Sequence, residues 1–140
     1  MNQQEWEQSV EWVGIVAGCL VEKDGKYLLV QEKQPKVYGL WNLPAGYVDK
    51  GEQIKDAAKR EVLEETGFEV KVLDEIDIYH ESTGRPVKHI FKAEISGGKL
   101  KKQNDEILDI QWMSFDEIEE LSKENKLRAP WIRDVIKKQH

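Results

Sequence analysis

The run Arg60-Glu61-Val62-Leu63-Glu64-Glu65-Thr66-Gly67 constrains this chain more than any other stretch. Ile54, Ala57, Ala58 and Val62 recur at helical spacing, and Gly67 stands where a left-handed cap closes a helix, so residues 52–66 read as one helix. Glu61, Glu64 and Glu65 are spaced i, i+3 and i+4, which makes them neighbours that repel. They also sit at the helix end whose unpaired carbonyls already carry partial negative charge. On a wheel of about 100° per residue, Glu65 falls about 40° to one side of Glu61 and Glu64 about 60° to the other. The apolar residues occupy the same sector. The carboxylates therefore extend the buried face, whereas a solvated charge run would lie opposite it. Unpaired carboxylates turned inward are costly. A divalent cation is the simplest compensation, and a bound cation suits a substrate rich in negative charge. The competing reading, a merely soluble Glu-rich helix, does not account for the inward face.

Arg60 lies i−4 from Glu64 and is placed to pair with it. An all-oxygen ligand set suits Mg²⁺ or Mn²⁺ better than Zn²⁺. His80, His89 and His140 have no metal-ligand spacing to one another.

A chain of 140 residues with 39% hydrophobic and 34% charged residues fits one soluble globular domain, read here as 1–140. The net charge of −6 argues against a long nucleic-acid partner held by phosphate contacts. No apolar run approaches the roughly 20 residues of a membrane span, and the N-terminus lacks the basic and apolar regions of a signal peptide. Cys19 is the only cysteine, so no internal disulfide forms. A cytoplasmic location is expected.

The remaining order is strands, helix, strands, helix. Residues 12–21 and Lys26–Val30 read as strands joined at Asp24-Gly25. Residues 32–40 read as a loop, and Trp41 to Val48, broken by Pro44 and Gly46, as an interrupted extended stretch. Residues 68–79 and 86–95 read as an antiparallel hairpin turning at Ser82-Thr83-Gly84-Arg85, and Ile107 to Met113 as a further strand. Ser114, with Glu117 three places on, caps a short helix to about Leu121, and Ala129 to Lys138 is a terminal helix with Pro130 in its first turn. The expected class is α/β, a mixed sheet between helices.

Gly46, five residues, Glu52, seven residues and then Arg60-Glu61-Val62-Leu63-Glu64-Glu65-Thr66-Gly67-Phe68 match the Nudix box, G-x5-E-x7-R-E-U-x-E-E-x-G-U, at every specified position. The flanks resemble that family too: Trp41-Asn42-Leu43-Pro44-Ala45-Gly46 before the box, and Asp105-Glu106, Trp112 and Phe115-Asp116-Glu117-Ile118 after it. The resemblance to MutT-like Nudix hydrolases implies an α/β/α sandwich and a Mg²⁺-dependent hydrolase of a nucleoside diphosphate linked to some group X. It implies Glu61, Glu64 and Glu65 as metal ligands, with the Ala45 carbonyl and, at lower rank, Glu52 as further contacts. Arg60 becomes the orienting partner. The catalytic base is a box glutamate, Glu61 or Glu64, or the loop residue Glu106.

Tyr38, Trp41, Tyr47 and Arg85 are the substrate-binding candidates by the same resemblance, and each is also explained by packing or ordinary surface charge. Short similarities at Leu40–Gly46 and Leu127-Arg128-Ala129-Pro130 favour a small broad-specificity nucleotide phosphohydrolase. The alternatives are hydrolysis of ADP-ribose or another nucleotide sugar, and a non-catalytic nucleotide-sensing module. A diphosphate isomerase using Cys19 ranks lower, because that cysteine lies in an apolar strand. The resemblance also implies a small-molecule partner and a homodimer.

Overall fold

Asp24 and Gly25 both take positive φ, 53° and 75°. Paired left-handed residues let a two-residue turn match the twist of its strands. They join β1 (Ile15–Lys23) to β2 (Lys26–Glu32), yet these strands pair only beside the turn, Glu22 with Tyr27 and Lys23 with Lys26. Farther along they part and collect different neighbours. β1 pairs antiparallel with β4 (Ala45–Tyr47) and parallel with β6 (Val87–Gly98), which pairs in turn with β5 (Phe68–Tyr79). β2 lies between β3 (Trp41–Asn42) and β7 (Ile107–Met113), antiparallel to both. This computed structural model describes residues 1–10, 12–80 and 85–140. Among them the strands form one seven-stranded mixed sheet, open where β1 begins and β2 ends.

Strand alternation decides which helix covers which face. Ala17, Cys19 and Val21 of β1, Leu28 and Val30 of β2, and Phe91 and Ala93 of β6 pack with Ala57, Ala58 and Val62 of α2 (Ile54–Thr66). Their opposite-facing neighbours Leu20, Tyr27, Leu29 and Ile90 pack with Ile118 of α3 (Phe115–Lys123) and with Ile132, Val135 and Ile136 of α4 (Trp131–Gln139). The result is the expected mixed α/β arrangement with a helical layer on each face.

Several boundaries differ from the sequence reading. The carboxylate helix starts at Ile54, because Gln53 is extended at φ −71° and ψ 147°. Trp41 to Val48 resolves into the two short strands β3 and β4, separated by Leu43-Pro44. Ser114 makes the full capping box with Glu117, and α3 runs on to Lys123. Pro130 caps α4 from just outside it. The Ser82-Thr83-Gly84 part of the predicted turn lies outside the described residues, while the antiparallel pairing of β5 with β6 stands. Helix α1 (Gln3–Ser9) was not expected: it buries no residue, so it lacks the apolar periodicity that marks a packed helix, and Asn2 caps it by accepting from the Glu5 N–H at 2.8 Å. No helix of the described residues is long and apolar enough to cross a membrane.

The C-terminal end of α2 is closed by the segment after β6. The Gly67 N–H donates to the Leu63 carbonyl at 2.9 Å, Lys101 N–H to the Thr66 carbonyl at 2.8 Å and Gln103 N–H to the Glu65 carbonyl at 3.3 Å. Helix-end carbonyls that would lack partners are thus satisfied by the loop that goes on to Glu106. Gly67 makes this contact possible. Its φ is +81°, and a Cβ there would stand 2.3 Å from the Lys99 carbonyl oxygen and 2.7 Å from the Lys101 nitrogen.

Gly67→Ala is therefore expected to lose more than about 1 kcal/mol in chemical denaturation, since it adds a clash to an unfavourable φ. A loss within error of zero would contradict the capping role. Cys19 is fully buried, and desolvation pushes its thiol up to about 12. It should resist a thiol-specific reagent at neutral pH in the native protein and react once the protein is unfolded. Rapid native labelling would contradict its core placement.

Candidate functional site

A cavity of about 600 Å³ occupies the open end of the sheet, between the α2 face and the ends of β1, β2 and β4. From α2 it receives Glu61 and Glu65, from β4 Ala45, Gly46 and Tyr47. Glu32 enters from the end of β2, where the register with β7 shifts between Gln31 and Glu32. Alternation along β2 puts it on the same side as Leu28 and Val30, toward α2. Glu106 reaches the cavity from the loop pinned to the end of α2, and Arg85 from just before β6.

Two contacts fix the carboxylates of α2 against β4. Gly46 lies under Glu61 so closely that a Cβ there would stand 2.2 Å from the Glu61 carboxyl carbon and 2.4 Å from both its oxygens. Only a residue without a side chain permits that approach. One turn on, Glu65 is 6% exposed and accepts from the Ala45 N–H at 2.8 Å. Ala45 and Gly46 are themselves held in register by pairing with Gly18 and Ala17 of β1.

Arg60 is the hub beside this seam. Its guanidinium donates to Glu52 at 2.8 and 3.0 Å, to Glu61 at 2.8 Å, to Glu64 at 3.2 Å and to the Tyr47 carbonyl at 3.0 Å. Glu52 is committed to this network, accepting the Asp49 N–H at 3.0 Å as well. It lies ahead of α2 and does not line the cavity. It anchors Arg60. The Arg60 hydrogen bonds, then that of the Asp49 N–H, hold the Glu52 carboxyl below the usual range.

The other sequence candidates separate in the same way. Glu64 is 54% exposed at its side chain and stands outside the cavity lining, tied back through Arg60. Trp41 is buried among Leu43, Leu127 and Trp131 in the α4-side core. Tyr38 is exposed away from the cavity lining. Tyr47, Arg85, Ala45, Glu61, Glu65 and Glu106 are brought together. Glu32, Asn42 and Arg128 line the cavity too and were not singled out as site residues, because they arrive from segments with no shared motif. The prior signals were the Leu40–Gly46 similarity, which contains Asn42, and the Leu127-Arg128-Ala129-Pro130 similarity.

The electrostatics show what the cavity asks for. Burial raises the Glu65 carboxyl well above the usual range; its bond from the Ala45 N–H opposes this, and Glu61, Glu32 and Glu106 add to the rise. Burial likewise raises Glu61, opposed by Arg60 and reinforced by Glu64 and Glu106. Glu32 is raised by burial, opposed by Asn42 and Arg128, and raised again by Glu106. Four carboxyl groups thus repel one another across a partly desolvated space. Among the described residues no group of three or more His, Cys, Asp and Glu side chains forms a ready-made cation cage. The donor chemistry nonetheless fits a hard divalent cation: oxygen ligands only, with like charges that such an ion would relieve.

A sequence profile described as NUDIX domain matches residues 12–135. The chain is 37% identical to the 8-oxo-dGDP phosphatase NUDT18 of Danio rerio over 70% of its own length and 31% of that protein's. It is 34% identical to an ADP-ribose pyrophosphatase of Methanocaldococcus jannaschii over 61% of its own length and 53% of that protein's. The chain therefore spans about half or less of these relatives. A solved NUDIX hydrolase from Nitrosomonas europaea superposes with a TM-score of 0.78 at 31% identity, covering 92% of this chain and 89% of that one.

The seam between α2 and β4 is open to a direct test. Gly46→Ala should cost about 1–3 kcal/mol by overpacking against Glu61. In a Glu61→Ala background the same change should cost much less, as a denaturation double-mutant cycle reads directly. Equal costs in both backgrounds would contradict the contact.

Proposed function

The chain belongs to the Nudix family, and from that premise we propose that it hydrolyses a phosphoanhydride bond in a nucleoside di- or triphosphate-type substrate, with a divalent cation, Mg²⁺ or Mn²⁺. The observation that carries the proposal is the inward pair Glu61 and Glu65, opening into one cavity with Glu106 and Glu32. The two relatives' names differ in what is attached to the nucleoside diphosphate and agree on the diphosphate itself. That shared part is what the proposal adopts.

Glu61, Glu64 and Glu65, with the Ala45 carbonyl, would hold the cation. When bound, such an ion screens phosphate charge and acidifies the attacking water. The protein's own groups do the rest. Arg60 keeps Glu61 and Glu64 oriented through charge-assisted hydrogen bonds. The buried Ala45–Glu65 bond fixes the helix end against β4. Glu106 accepts the proton of the water, since it lines the cavity from a loop tied to both α2 and β2: Lys33 N–H donates to its carbonyl at 2.9 Å. Tyr47 and Arg85 line the cavity where a substrate would lie.

The test is product identification from a panel of nucleoside di- and triphosphates and nucleotide sugars with Mg²⁺ or Mn²⁺. Wild type is expected to release phosphate or pyrophosphate from a panel member. Glu61→Gln and Glu106→Gln should each lower kcat by at least about 100-fold. Tight nucleotide binding without turnover under either ion would replace the proposal with a non-catalytic sensing role. Equal turnover in wild type and Glu61→Gln would remove the carboxylates from the chemistry.

A further inference from the structure

Two arginines are visibly engaged with carboxylates among the described residues. Arg60 is spent on Glu52, Glu61 and Glu64, and Arg133 on Glu119 and Asp134. Arg128 differs. It is half-buried and lines the cavity, and among the described residues its guanidinium makes no hydrogen bond or ion pair, although its charge acts on Glu32. A guanidinium held in a cavity with its donors unspent is built to meet a ligand.

Its backbone is fixed with unusual care for a connection between helices. The Trp41 N–H donates to the Lys126 carbonyl at 2.8 Å, and the Arg128 N–H donates to the Trp41 carbonyl at 2.7 Å. Residues 126–128 thereby add to β3 as a short parallel partner, with Leu127 opposite Trp41 and buried. Arg128 thus reaches the cavity from the segment paired with β3, while Glu61 and Glu65 reach it from α2. Glu106 lines the same cavity, and its charge acts on Glu32, Glu61 and Glu65 alike. Glu32, steadied by the Asn42 amide at 3.2 Å, offsets part of the Arg128 charge, and Lys36, Arg85 and Lys88 add further cations to the same lining.

We propose that Arg128 is a specificity-determining residue that binds a phosphoryl group of the substrate remote from the α2 carboxylates, so that the site prefers a triphosphate chain to a diphosphate. This rests on the phosphoanhydride reading of the cavity. A phosphate chain is the ligand whose one end suits a cation-bridged carboxylate cluster and whose other end suits a planar guanidinium backed by an ammonium. The carboxylates select the bond; Arg128 selects the length of the chain beyond it.

The experiment compares wild type, Arg128→Gln and Arg128→Lys. The side chain takes no part in the Trp41 bonds, so all three should unfold at similar temperatures. With ATP, Arg128→Gln should raise KM at least about tenfold while kcat falls less than about threefold. Its preference for ATP over ADP, read as the ratio of kcat/KM values, should fall at least about tenfold, and Arg128→Lys should lie between. Calorimetric titration with inorganic tripolyphosphate supplies a readout independent of turnover: Arg128→Gln should bind at least about tenfold more weakly than wild type. Equal tripolyphosphate affinity in both proteins, or no binding to wild type, would overturn the proposal. So would a loss confined to kcat. Arg128-dependent tripolyphosphate binding without turnover of any nucleotide would leave this role standing and defeat the hydrolytic reading alone.

Discussion

The contact between Glu61 and Gly46 governs how everything else in the site is arranged. A carboxylate laid on a backbone with no intervening Cβ brings α2 against β4 at a distance no other residue permits. With Glu65 bonded to the Ala45 N–H, it turns the end of the helix into one wall of the cavity. Both contacts bring negative charge to the helix end that disfavours it, where burial lifts both carboxyls. Arg60 offsets part of that cost from outside, and Glu52 keeps Arg60 in place. The Nudix box is thus a mechanical unit as well as a set of ligand candidates. Its glycines allow approach and closure, its arginine and first glutamate brace, and its remaining glutamates face the cavity or its rim.

The cavity exists because the sheet does not close. β1 and β2 are neighbours in sequence and share a two-residue turn, yet they pair at only two positions. Beyond these, β1 belongs with β4 and β6, and β2 with β3 and β7. Residues at the diverging ends, Val16 and Glu32, line the same space. The loop after β6 crosses the opening, pinned at Thr66 and Glu65 before it delivers Glu106. Two backbone contacts therefore couple the end of α2 to a carboxylate more than a strand away in sequence.

What the sequence disclosed was whatever local periodicity and spacing encode. The helix face of Ile54, Ala57, Ala58 and Val62, the Gly67 cap, the Asp24-Gly25 turn and the Ser114–Glu117 box each follow from rules that act over a few residues. The family motif added the arrangement of the layers. Long-range placement stayed hidden. Nothing local marks Trp41 as a core residue, and only the packing of Leu43, Leu127 and Trp131 around it shows that it is one. Glu32 looks like the end of an ordinary strand, and only the open end of the sheet makes its place beside Leu28 and Val30 part of the cavity. Arg128 becomes a site residue only because its segment pairs with Trp41. Glu52 shows the reverse: a motif position whose structural partner is an arginine on the next helix, outside the cavity.

Binding of Mn²⁺, followed by electron paramagnetic resonance as the free ion signal is titrated away, tests most directly whether the inward carboxylates form a cation site. Wild type is predicted to bind the ion saturably, and Glu61→Gln and Glu65→Gln each to weaken that binding at least about tenfold without loss of fold. Glu120→Gln, an exposed carboxylate on α3, should bind as wild type does. Identical Mn²⁺ affinity in wild type, Glu61→Gln and Glu65→Gln would contradict the assignment of the α2 carboxylates to a cation.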